Sequence, residues 1–150
     1  MDILSAVTED GLAVEKQGPM ECALATMGAL TGTSLATLRE MAGPLYFGDH
    51  SQIVSIARHV GGEHLVALMG MGIASGIRRL SPFRREVPTW GRGTVRFNVR
   101  GCPTQAGHIV PWKNGFLYDP ESPNEPLTLT QYRRRYRRLI VDYITWEDEA

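Results

Sequence analysis

Cys22 begins a stretch, Cys22-Ala23-Leu24-Ala25, that reads as the start of a helix. A thiol at a helix N-terminus feels the positive end of the helix dipole, which favours the thiolate. Gln17 lies on the loop leading into that helix. Its side-chain amide and the Cys22 backbone N–H are two donors that together could form an oxyanion hole. A thiolate nucleophile also needs a base, and the base needs a group that orients it. His108 and Asp119 have the right chemistry, and they lie on the two arms of a hairpin turning at Asn114-Gly115.

The hairpin places the two groups together by register. A two-residue turn pairs Lys113 with Phe116, Trp112 with Leu117, Pro111 with Tyr118 and Val110 with Asp119. His108 shares the face of Val110. It is then a diagonal neighbour of Asp119, about 7–8 Å away between backbones and within side-chain reach. Pro111 cannot donate to the ladder, which marks an edge or a bulge, and a bulge would exchange the faces. Each residue also has a plainer reading: Cys22 as a small buried hydrophobe, His108 as structural, and Asp119 before Pro120 as a turn opener.

The elements that must carry these groups change type along the chain. Gly18-Pro19 breaks regular structure ahead of a helix over 22–31, which Gly32 stops. Thr33 or Ser34 caps a second helix through Met41, closed by Gly43-Pro44. Asp49 and Gln52 resemble a capping box for a third helix, ended by Gly61-Gly62. Leu65 to Leu68 suit a short strand or a buried turn. Strands are expected at 94–99, 107–112, 116–119 and 139–146, with a short helix or turn over 128–138. Helices followed by strands give an α+β fold in one domain, residues 1–150. The expected core is Leu38, Ile53, Ile56, Val95, Phe97, Val99, Ile109, Leu117, Val141 and Tyr143. Trp90 and Trp112 suit either the cleft or packing, and Cys102 before Pro103 reads as structural.

Composition narrows the function classes. Apolar residues make up 43% of the 150, which argues against disorder. No run approaches the ~20 apolar residues of a membrane span, and Met1-Asp2-Ile3-Leu4 lacks the basic start of a signal peptide. A cytoplasmic protein is expected, with association with a virion left open. Two cysteines make no disulfide framework, and His50, His59, His64 and His108 have no paired ligand spacing with them. No metal or cofactor is expected. Net charge is zero, yet residues 78–138 carry 13 basic against 4 acidic groups, a surplus that could draw an acidic partner. Arg133-Arg134-Arg135-Tyr136-Arg137-Arg138 is its densest part. No nucleic-acid reader motif accompanies it, so nucleic acid is not the expected partner.

Gln17-Gly18-Pro19-Met20-Glu21-Cys22-Ala23-Leu24-Ala25 resembles the Gln-and-Cys segment of papain-like cysteine peptidases. It is most similar to the domains that cut double-glycine leaders in bacteriocin exporters, and to their stand-alone bacterial and phage relatives. Gly107-His108-Ile109-Val110-Pro111-Trp112 and Phe116-Leu117-Tyr118-Asp119-Pro120 resemble the His and Asp segments of that group. Ala23 stands where those domains usually carry Gly, and the Gln-to-Cys spacing is one residue shorter. The resemblance implies a papain-like fold, with Cys22 as nucleophile, His108 as general base and acid, Asp119 orienting His108, and Gln17 in the oxyanion hole. It implies hydrolysis of a peptide or isopeptide bond in a peptide or protein substrate. The alternative is a non-catalytic papain-like module, for example a virion component, whose basic face binds an acidic partner or nucleic acid. Oligomeric state is not legible.

Overall fold

The computed structural model describes residues 11–18, 20–99, 107–136 and 139–148. Among them the order is α1 (Cys22–Thr31), α2 (Leu35–Ala42), α3 (His50–Leu68), β1 (Ile77–Leu80), β2 (Arg92–Val99), β3 (His108–Lys113), β4 (Phe116–Leu117), α4 (Leu129–Arg135) and β5 (Leu139–Glu147). The fold is α+β. The strands form one antiparallel sheet in the order β1-β5-β2-β3-β4. No helix among the described residues is long and apolar enough to cross a membrane.

Local chemistry accounts for the helix limits. Gly32 closes α1 at φ 73°, the left-handed conformation that glycine adopts without strain. Ser34 caps α2 by accepting from the Thr37 N–H, and Asp49 caps α3 by accepting from the Gln52 N–H. Gln52 does not complete a capping box there. Its side chain instead accepts from the Phe47 N–H and donates to the Leu45 carbonyl, pinning the loop ahead of α3. A full capping box occurs at Thr128 and Gln131, opening α4.

Two expectations are corrected. Gly62, at φ 68° and ψ −165°, is non-helical and ends the first part of α3 where expected, but a second helical segment resumes after it. Leu65 to Leu68 are therefore helical and buried, neither strand nor turn. The strand expected at 116–119 stops at Leu117. Tyr118 still donates to the Pro111 carbonyl, but Pro111 has no N–H to return, so the ladder ends there. The structure also adds β1, an edge strand the sequence reading left unassigned. It pairs with β5, and the Arg78 and Arg79 guanidinium groups lie 4.1 and 4.7 Å from the Trp146 and Tyr143 rings.

The sheet separates two cores. Leu24, Met27, Leu38, Ile53, Ile56 and Leu68 of α1–α3 pack with Ile109 on one face. Val95, Phe97, Val110, Trp112, Ile144 and Leu129 and Tyr132 of α4 pack on the other. The β2–β5 pairing slips by one residue after Arg96, where β5 spends an extra residue. That bulge puts Val141 on the same face as Ile144. The expected core residues are buried, except that the Val99 side chain lies outside the description, as do Cys102 and residues 1–10. Trp112 is fully buried and donates to the Thr145 carbonyl, while Trp90 stands edge-on to Trp146. Neither lines the cleft described next.

Candidate active site

Cys22 is the first residue of α1, so its N–H is among those with no acceptor inside the helix. The turn ahead of it is built by Glu21, whose carboxylate accepts from the Gly18 N–H at 2.6 Å and from Arg39 through two bonds of 2.7 Å. Hydrogen bonding to Arg39 holds the Glu21 carboxyl below the usual carboxylate range. Met20 completes the turn at φ 60°, a conformation that costs energy for a residue with a side chain.

The backbone of one residue docks α1 on β3. The Cys22 sulfur accepts a backbone hydrogen bond from Ile109, and Thr26, one helical turn on, donates to the Ile109 carbonyl at 3.3 Å. Residues 22 and 26 share a helix face, so the two bonds fix both the rotation and the height of α1 against the strand. The residue before Ile109 is His108. Its side chain is hydrogen-bonded to Cys22.

The hairpin has the register expected. Trp112 pairs with Leu117 and Lys113 with Phe116 across a turn with Asn114 at φ 49° and Gly115 at φ 89°. The β-bulge falls between β2 and β5, not in the hairpin, so the faces are kept. His108 Nε2 is 2.9 Å from Asp119 Oδ1, which leaves Nδ1 as the ring nitrogen for the thiol. Asp119 is 5% exposed, and both of its oxygens accept hydrogen bonds. Oδ1 also accepts from the Glu121 N–H at 2.9 Å, and Oδ2 accepts from the Tyr132 hydroxyl. Tyr132 is stacked on Phe97, with centroids 4.8 Å apart.

These contacts set the charge states. Burial pushes the Cys22 thiol up, but the hydrogen bond and charge of His108 outweigh it, and the thiol lies below its ordinary range. Burial works against the His108 cation, yet the bonds to Asp119 and Cys22 push it up to about 10. Burial raises Asp119, while His108, Tyr132 and the Glu121 N–H bring it below the usual carboxylate range. These shifts all favour the charged set, a thiolate facing an imidazolium backed by a carboxylate, over the neutral one.

Cys22 and His108 open on a cleft of about 440 Å³, whose walls include Met20, Tyr46, Ile53, Met71 and Arg96. The structure thus brings together Cys22, His108 and Asp119. It places Gln17 on the loop before α1, where the Gln17 N–H donates to the Pro120 carbonyl at 2.8 Å. The Gln17 side-chain amide donates to the Gly18 carbonyl at 3.1 Å and makes no bond to the other three. Among the described residues, His108, Asp119 and Glu121 offer metal-ligand atoms within 4.8 Å of one another. The His108 and Asp119 atoms are already bonded to each other, so an ion would have to displace that bond. Tyr132 and Tyr46 were not anticipated. Only the apolar spacing of Leu129 and Tyr132 hinted that a tyrosine faces inward.

No protein-family model matches the chain, and neither a curated protein nor a solved structure matches it.

Proposed function

We propose that this protein is a papain-like thiol hydrolase that cleaves a peptide or isopeptide bond. The observation that carries the reading is the continuous relay from the Cys22 thiol through His108 to Asp119, set at the wall of an open cleft. A binding module has no use for a buried carboxylate that keeps an imidazole charged beside a thiol. In the reaction, the Cys22 thiolate adds to the carbonyl carbon and the π pair moves to oxygen. The intermediate collapses, the C–N bond breaks, and the leaving amine takes the proton from His108. His108 then accepts a proton from water as the hydroxyl attacks the thioester, which releases the acid and the thiol.

Alkylation by iodoacetamide tests the reading. Cys22 should react faster than free cysteine at neutral pH, with a plateau that begins below the ordinary thiol range because the thiol is held down. Hydrolysis should share that acidic limb and then fall as His108 loses its proton near about 10, since the amine then lacks its acid. Cys22→Ser should abolish hydrolysis and leave only the alkylation of Cys102, the chain's other cysteine. A Cys22 no faster than free cysteine would leave the non-catalytic module as the better account.

A further inference from the structure

We propose that the Tyr46 hydroxyl is the side-chain donor that stabilises the oxyanion formed when Cys22 adds to a substrate carbonyl. The inference rests on the thiol-hydrolase reading and names a residue that neither the spacing nor the resemblance picked out.

Four observations lead to it. Tyr46 lines the same cleft as Cys22 and His108 and packs against the α1 core beside Cys22. Its Oη is buried and has no hydrogen-bond partner in the protein. Buried hydroxyls are nearly always paired, so an unpaired one beside a nucleophile points to a ligand group as its partner. The ring is held in advance of any substrate, because Gln52 bonds the backbone on both sides of it, at the Leu45 carbonyl and the Phe47 N–H. Preorganisation of this kind is what gives an oxyanion donor its effect. Finally, the expected donor already gives one of its two N–H groups to the Gly18 carbonyl and makes no bond to Cys22 or His108.

The surroundings suit the role. Gly48 lies against the phenol, and a side chain there would begin in contact with Oη, at 3.6 Å. Burial, with the negative charge of Cys22 among the lesser causes, pushes Tyr46 up to about 12, so the hydroxyl keeps the proton it would donate. As the S–C bond forms and the carbonyl π pair moves to oxygen, Tyr46 and the Cys22 N–H each donate to the new O⁻. No proton is transferred to it, and the pair returns to carbon when the leaving group departs.

Two reagents separate this role from a structural one. Alkylation by iodoacetamide forms an S–C bond and expels iodide without creating an oxyanion. Acylation by p-nitrophenyl acetate passes through one, and a burst of nitrophenolate reports it. Tyr46→Phe keeps the ring and its packing. It should lower the acylation rate by about 10²-fold while the alkylation rate stays that of the parent protein. Gln52→Ala, which frees the loop, should give a smaller loss of the same kind. If Tyr46→Phe lowers both rates equally, Tyr46 shapes the thiolate and the proposal is wrong. It is equally wrong if neither rate falls. A parent protein that shows neither rapid alkylation nor a burst overturns the hydrolase reading itself.

Discussion

On the face of the sheet covered by α1–α3, the nucleophile is held by backbone: the N–H and C=O of Ile109 grip Cys22 and Thr26 among small and aliphatic side chains. On the opposite face the base is held by side chains: Asp119 fixes His108, Tyr132 fixes Asp119, and Phe97 stacks on Tyr132. The first arrangement sets where the sulfur is. The second sets which way the imidazole faces and how strongly it keeps its proton. Loss of the Thr26 bond, which does not touch the sulfur, should therefore slow the thiol without moving its titration, and damage to the second should move the titration.

Asp119→Asn is the strongest test of that difference. It removes the carboxylate charge, so His108 should fall from about 10 towards its ordinary 6.5. Hydrolysis should drop by about 10⁴-fold, and the acidic limb of alkylation should shift to higher pH. Stability should follow the same sign. A base raised on folding contributes stability that is complete below about 6.5 and is lost as pH rises through about 10. In the variant that loss should be smaller and complete at lower pH, as read by urea midpoints across pH.

Tyr132→Phe should do the same more gently. Removing one hydrogen bond to an ionised acceptor costs about 1.5–3 kcal/mol of stability, and kcat should fall with a small alkaline shift in the thiol limb. Thr26→Val acts on the other face. Loss of its bond to Ile109 should cost about 1 kcal/mol and slow alkylation, with the pH midpoint unmoved. A moved midpoint would show that the two faces are not separable. Chelation with EDTA should leave hydrolysis unchanged, because the His108 and Asp119 atoms that could take an ion are bonded to each other. A loss of activity restored by a divalent ion would reverse that assignment.

What the sequence revealed follows the range of each interaction. Cys22 at the head of a helix and His108 opposite Asp119 are local facts, one set by a helix start and the other by a two-residue turn with positive φ at both positions. β1 was not legible, since Arg78 and Arg79 look like loop residues until Trp146 and Tyr143 arrive from β5. The glycine stop at Gly62 was legible, but the helical segment after it was not, because only tertiary burial of Leu65 to Leu68 sustains so short a turn. Tyr132 and Tyr46 stayed out of view for the same reason: what distinguishes them is a partner, or the lack of one, far away in the chain.

The clamp on α1 engages N–H and C=O groups that nearly every amino acid possesses. Exchanging Ile109 for another aliphatic of similar bulk would leave that handhold untouched. The identity of the nucleophile's seat is thus written four residues apart, at positions 22 and 26, while the strand supplying it is free to drift in sequence.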